Sequence, residues 1–338
     1  MARAAAVACV TVAAVALVTP GTAESAGRHG GRENREPSGR GFRSEQGTET
    51  GRPAQFVAER DGRVVVVSSE TGRVARYLTA RLPGGGAADP ALSPDGRAVW
   101  FSRGDGSCAA HLASVPLDGG KEKMLPGSGE AGPESRPLPR PGRPHIAYAR
   151  GDCKDAGTAL IVGDLAGLEG HGQLGLEPLA WSRDGRLLLA SATDSDGVRL
   201  LEVSGSGAIV DNQALDVVDS VKECRLQVIG FSPDANDGYV ALRRCGRGES
   251  ARRTLVLLGR NGDYRRTVVR LPRGQDFLDR PAFDPTGHSL VFSTAPAAAA
   301  GQDSGSGRAP GVTLWLWRDG ETRELARQSG YRHPSWLP

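Results

Sequence analysis

Aromatic side chains make up only 5% of this 338-residue chain, and the short motifs that mark an enzyme in a linear sequence are missing. The six histidines, at 29, 111, 145, 171, 288 and 333, include no His-Glu-x-x-His and no pair at metal-ligand spacing, which excludes the helical zinc hydrolases. No Cys-x-x-Cys occurs, so a zinc site built on paired thiolates is excluded as well. There is no credible Gly-x-Ser-x-Gly elbow and no α/β domain to carry one. Neither sign of charge dominates, since 42 basic residues face 39 acidic ones for a formal net charge of +3. The basic runs Arg243-Arg244, Arg252-Arg253 and Arg265-Arg266 hold no aromatic within them, so they read as a solvated face and no nucleic acid partner is expected. No catalytic residue and no metal or cofactor ligand is assigned on this basis, and no cofactor is expected.

Glycine and proline, at 47 and 22 residues, are what the chain has in quantity, and many of them fall in one recurring phrase. Leu92-Ser93-Pro94-Asp95-Gly96, Trp181-Ser182-Arg183-Asp184-Gly185, Phe231-Ser232-Pro233-Asp234 and Phe283-Asp284-Pro285-Thr286-Gly287 each set a large apolar residue before a turn sequence. Leu138-Pro139-Arg140-Pro141-Gly142 is a weaker copy, and Trp336-Leu337-Pro338 is cut off by the end of the chain. With the apolar residue as marker, the copies stand at 92, 138, 181, 231, 283 and 336, the spacing of a four-stranded propeller blade.

Most copies lead into an alternating apolar run such as Val99 and Phe101 or Leu290 and Phe292, the period of a half-buried strand. Later in the intervals, Asn261-Gly262 and Asp319-Gly320 lie between apolar runs, where both central residues of a tight hairpin need positive φ. Each interval therefore holds two hairpins. Phe56 to Ala58, Val64 to Ser68 and Val74 to Leu78 supply three strands with no marker before them, and Trp336 supplies one with nothing after it. The expectation is an all-β, six-bladed propeller of four-stranded antiparallel blades, closed by pairing of the C-terminal strand with the N-terminal ones; an unclosed ring would leave an exposed edge.

The phrase resembles the repeats of TolB-type propellers, the WD-like or Pro-Asp repeats, which read Pro-x-(Trp/Phe)-Ser-Pro-Asp-Gly before an apolar strand. Pro334-Ser335-Trp336 and Pro281-Ala282-Phe283 carry the upstream proline too, and Pro178-Leu179-Ala180-Trp181 carries it with one extra residue. The resemblance covers about Pro53 to Pro338 and implies the fold more than a function, because the matching residues are turn and core positions. Asp95, Gly96, Asp184, Gly185, Asp234 and Gly287 are accordingly read as turn residues, the carboxylates accepting backbone amides two residues on and the glycines supplying positive φ. The Asp box of sialidases, Ser-x-Asp-x-Gly, fails on spacing.

Met1 to Ala23 has one early positive charge, an apolar stretch from Ala4 to Val18 and small residues near Ala23, the three parts of a cleaved secretory signal peptide. Residues 24–54 are polar and hold one aromatic, Phe42, so a disordered spacer is expected there, with the propeller over residues 55–338. No other stretch is apolar enough to cross a membrane. Ala295 to Gly311 reads as a low-complexity surface loop. Cleavage removes Cys9 and leaves Cys108, Cys153, Cys224 and Cys245, an even number in an exported chain. Cys108 and Cys153 follow equivalent strands of neighbouring blades, and Cys224 and Cys245 flank one hairpin, so the expected disulfides are Cys108–Cys153 and Cys224–Cys245.

Two functions of different class follow. The first is a monomeric, non-enzymatic scaffold outside the cytoplasm that binds a protein, peptide or wall-associated ligand. The second is a propeller hydrolase or lyase of lactonase or glycan-cleaving type, whose groups project into the central channel from different blades. Carboxylates and histidine converging in the channel would favour the enzyme; a lining of Ser, Ala and Val would exclude it.

Overall fold

The computed structural model describes residues 54–337 apart from 82–84, 105–107, 130, 153–156, 194–196, 218, 220, 222, 234–237, 298–310 and 328. The expected signal peptide, nearly all of the spacer, Cys153, Asp234 and most of the 295–311 insert lie outside the described residues. Among the described residues twenty-five strands make six antiparallel sheets.

From the axis outward, blade 1 runs β25 (Tyr331–Trp336), β1 (Gln55–Arg60), β2 (Arg63–Ser68) and β3 (Val74–Tyr77). Blade 2 is β4 (Gly86–Leu92), β5 (Ala98–Gly104), β6 (His111–Pro116) and β7 (Lys123–Met124). Blade 3 is β8 (Glu134–Pro139), β9 (His145–Gly151), β10 (Thr158–Asp164) and β11 (Gly167–Leu174). Blade 4 is β12 (Leu176–Trp181), β13 (Leu187–Ala192), β14 (Val198–Val203) and β15 (Ile209–Ala214). Blade 5 is β16 (Cys224–Phe231), β17 (Tyr239–Cys245), β18 (Arg252–Leu258) and β19 (Tyr264–Arg270). Blade 6 has its inner strand in two pieces, β20 (Gln275–Phe277) and β21 (Ala282–Phe283), followed by β22 (Ser289–Pro296), β23 (Thr313–Arg318) and β24 (Glu321–Arg327).

The core lies between blades, because the middle strands are covered on both faces. In β2, Val64 and Val66 pack toward blade 2 while Val65 and Val67 pack toward blade 6, which is why the strand reads as an unbroken valine run. Six apolar clusters result, one at each junction between neighbouring blades, the last joining Val291 and Leu314 of blade 6 to Phe56 and Trp336 of blade 1. Burying each large side chain of this kind stabilises the fold by about 1.5–3 kcal/mol. Outer strands face water; β15 is exposed along almost all of its length.

The ring closes as the repeat count implies. Phe56 pairs with Trp336 and Val57 with Ser335, so the C-terminal strand is the inner strand of blade 1. The indole Nε1 of Trp336 donates to Ala282 O of blade 6 at 2.8 Å, and at the matching place Trp181 of blade 4 donates to Leu138 O of blade 3 at 2.8 Å.

In blade 2 the Ser93 hydroxyl donates to Asp95 Oδ1 at 2.5 Å and accepts from Ala98 N at 2.9 Å, while Asp95 Oδ1 accepts from Arg97 N at 3.1 Å. Gly96 takes φ 69°. Ser182, Asp184 and Gly185 repeat this in blade 4. The Ser hydroxyl foremost, then the backbone amide, hold both Asp95 and Asp184 below the usual carboxylate range. Blade 6 exchanges the roles: Asp284 accepts from Ser289 N at 3.1 Å and from the Thr286 hydroxyl at 3.0 Å. In blade 3 the marker is Pro139, not Leu138, since Pro139 pairs with Ile146 as Leu92 pairs with Val99. Arg140 then stands where serine would, and its buried guanidinium donates to Gly185, Ser204 and Val203 carbonyls of blade 4 at 2.6–2.7 Å.

Candidate functional site

Every inner strand is interrupted at its middle. The pairing slips between Ala88 and Ala91, Ser135 and Leu138, Pro178 and Ala180, and Val228 and Gly230, and blade 6 breaks outright between Phe277 and Ala282. Proline at Pro90, Pro137, Pro281 and Pro334 explains part of this, because proline cannot donate to the ladder. The interruptions surround the axis and line a cavity of about 410 Å³ to which all six blades contribute.

The residue just ahead of that proline is Asp89 in blade 2, Arg136 in blade 3, Arg280 in blade 6 and His333 in blade 1. Three of these, Asp89, Arg136 and His333, have φ of 52°, 54° and 48°. This left-handed region costs a side chain about 1–2 kcal/mol that glycine would avoid. Strain repeated at one position of three blades marks a place where the side chain matters.

These side chains meet across the channel. His333 Nε2 lies 3.2 Å from Asp89 Oδ1 and 3.5 Å from Asp279 Oδ1, while its backbone N donates to Asp279 Oδ2 at 3.0 Å. Arg136 pairs with Glu177, and its backbone N donates to Asp89 Oδ2 at 3.3 Å. Arg280 reaches from blade 6 past blade 5 to blade 4, donating to Pro178 O at 3.0 Å and Leu179 O at 2.9 Å. Desolvation, with repulsion from Arg136 next, lowers its guanidinium to about 10. Glu59 of β1, paired with Arg332 of β25, is pushed up to about 7, chiefly by desolvation. His333 and Arg332 oppose that shift, and Asp89 and Asp279 add to it. Blade 5 brings Gln227, Ile229 and Leu242, and the cavity is otherwise lined largely by Leu, Phe and Pro side chains.

None of these channel residues was singled out from the sequence. A signal was present one position upstream of the resemblance: Asp89-Pro90, Arg136-Pro137, Arg280-Pro281 and His333-Pro334 all put a charged or titratable residue before the repeat proline. The assigned residues lie elsewhere. Asp95, Gly96, Asp184, Gly185 and Gly287 are at the turns that end the inner strands, outside the lining. Cys224 and Cys245 are directly opposite in β16 and β17 and form a disulfide, with Cα atoms 4.1 Å apart. Cys108 is disulfide-bonded, and its expected partner Cys153 lies outside the described residues. Among the described residues no group of three or more His, Cys, Asp or Glu is arranged to hold a metal ion, and no helix is long and apolar enough to cross a membrane.

No protein-family model and no curated protein matches the sequence. Among solved structures the chain is similar to the TolB candidate of Agrobacterium tumefaciens, at 17% identity and a TM-score of 0.55, covering 83% of this chain and 91% of that one. Weaker likenesses include an oligogalacturonate lyase of Vibrio parahaemolyticus, at 12% identity and 0.49 over 80% and 79% of the two chains. A prolyl endopeptidase matches at 12% and 0.47 over 81% of this chain and 50% of its own. The fold is that of the TolB-like six-bladed propellers.

Proposed function

We propose that the chain is an exported, non-enzymatic TolB-like propeller that binds a protein or peptide segment, or a wall-associated ligand, at the mouth of its central channel. The observation that carries this is the set of strained, ionisable side chains in the channel wall, each already held by a partner from another blade. Such cross-pairing leaves a preorganised surface rather than an unengaged acid and base around a reacting bond. Arg136 is its most open member, its side chain 41% exposed beside Glu177 at 23%. The apolar lining supplies contact area, while the charges select orientation. The Cys224–Cys245 disulfide fits an oxidising compartment.

A second reading has the support of His333, Asp89 and Asp279 converging in the channel, the arrangement that favours an enzyme. Glu59 near 7, with His333 and two carboxylates close by, resembles an acid-base group tuned for a hydrolase or lyase. One experiment separates the two: the full chain and its Arg136→Ala variant serve as baits in an extracytoplasmic fraction. Recovery of one stoichiometric partner by the parent alone is the expected result. No partner, together with turnover of a lactone or glycan panel that His333→Ala abolishes, would replace binding by catalysis.

A further inference from the structure

Among the described residues Arg280 meets no carboxylate at ion-pair distance, although it lines the cavity and three acids face it, Asp89, Glu177 and Asp279. Each of those acids is engaged elsewhere. Glu177 pairs with Arg136. Asp279 lies 3.8 Å from Arg332 Nε and accepts from the His333 backbone N at 3.0 Å. Asp89 stands 3.2 Å from His333 Nε2 and accepts from the Arg136 backbone N at 3.3 Å. The Arg280 guanidinium is left with dipoles, its Nη1 donating to Pro178 O at 3.0 Å and to Leu179 O at 2.9 Å. Its Nε and Nη2 donate to nothing among the described residues, and neither is sealed from the cavity. A guanidinium taken out of water is ordinarily matched by an anion, because its hydration is otherwise lost without return. The two carbonyls account for Nη1 and leave the other edge open.

That edge, Nε with Nη2, is the fork that takes both oxygens of one carboxylate. The walls beside it narrow the ligand further. Blades 4 and 5, toward which Arg280 reaches, put Leu179, Ile229 and Leu242 into the lining, with Ser191 and Gln227 as uncharged polar side chains. An anion that carries apolar surface next to its charge suits such walls better than a strongly hydrated inorganic one. A peptide C-terminus has this form, since the carboxylate and the last side chain leave the same carbon atom, and the amide behind them can bond to serine or glutamine. A cavity of about 410 Å³ is of small-ligand size, so it admits the end of a chain and not a folded domain. We propose that Arg280 captures the C-terminal carboxylate of a peptide whose last side chain is apolar. This rests on the reading of the channel as a binding site and states which part of the partner enters it.

The test is equilibrium dialysis of the full chain against acetylated tetrapeptides of mixed sequence ending in Leu, Ile or Phe, offered as free acids and as C-terminal amides and read by mass spectrometry. The acids should bind at least about tenfold more tightly than the amides, as the loss of a charge-assisted pair requires. Arg280→Lys keeps a charge but not the fork, so it should weaken acid binding about tenfold and change amide binding by under about threefold. Circular dichroism certifies its fold, and the comparison of acid with amide on the parent needs no variant. Octanoate and inorganic phosphate are the competing anions, and both should bind more weakly than the peptide acids. Equal binding of acids and amides, or an acid preference that Arg280→Lys leaves unchanged, would overturn carboxylate capture and leave the channel a binding site. Octanoate or phosphate binding as tightly as the peptide acids would overturn the peptide as its source. Binding of neither peptide form would also overturn the proposal, while the channel reading itself falls only if the parent recovers no partner as bait.

Discussion

The turns that end the inner strands and the interruptions at their centres recur with the same period, yet they use that period in opposite ways. At the turns one hydrogen-bonding task is done by different letters: Ser93 with Asp95, Ser182 with Asp184, and Asp284 with Thr286. At the interruptions one backbone position carries different chemistry: Asp89, Arg136, Arg280 and His333, against Pro178 and Val228 in blades 4 and 5. Where a repeat varies its letters and keeps its bonds, it is building the blade. Where it keeps the place and varies the charge, the six blades have become six different walls of one cavity.

The largest way to break this comparison is to remove the group that crosses the channel. Arg280→Met leaves Pro178 O and Leu179 O without their donor and removes the cation facing Asp89, Glu177 and Asp279. Truncating one member of a desolvated charge network costs about 3 kcal/mol or more, to be read as a lower urea midpoint. A loss below about 1 kcal/mol would mean that the channel charges are solvated and add little to the closed ring.

The next effect is a pH dependence confined to the channel. Glu59 titrates near 4.5 when unfolded and near 7 when folded, so between those values the native state holds the extra proton. The stabilisation is full below about pH 4.5 and is lost as pH rises through 7, a fall of about 2 kcal/mol once partial exposure is allowed for. His333, Asp89, Arg332 and Asp279 face the group and set its position. Urea unfolding of the parent and of Glu59→Gln from acid to neutral pH should show the slope in the first and a flatter line in the second. An equal slope in both would assign it to another group.

At the turns the expected change is smaller and has no functional companion. Asp95→Ala removes the acceptor of Ser93 Oγ and Arg97 N on an exposed loop and should cost about 1 kcal/mol, with ligand capture unchanged. Arg136→Ala should do the reverse, abolishing capture with little change in melting temperature. If both variants lose capture in proportion to stability, the two regions do not differ in role.

This contrast also explains what the sequence discloses. A turn is encoded by neighbours, so Ser-Pro-Asp-Gly shows its purpose in four letters, and its spacing yields the blade count and the C-terminal closure. The marker moves from Leu138 to Pro139 in the copy where Arg140 replaces the serine and donates its bonds to blade 4 carbonyls. The channel residues are encoded by distance: Asp89 and His333 are far apart in the chain and 3.2 Å apart in the fold. Only closure of the ring turns those scattered pre-proline residues into a set.

The finest distinction concerns backbone rather than charge. At Arg136 and His333, φ near 50° is a conformation glycine adopts freely, so Gly should there be more stable than Ala by about 1 kcal/mol. At Val228, the corresponding position of blade 5, no positive φ occurs, and Gly should be less stable than Ala by about 0.5–1 kcal/mol because it gives up more entropy on folding. Comparing Gly with Ala at each site, rather than either with the parent, cancels the loss of the Arg136–Glu177 and His333–Asp89 pairs. An inverted order at Arg136 and His333 but not at Val228 means that the inner strands carry local strain where they carry charge. The same order at all three would remove strain from the argument and leave the site resting on its ion pairs alone.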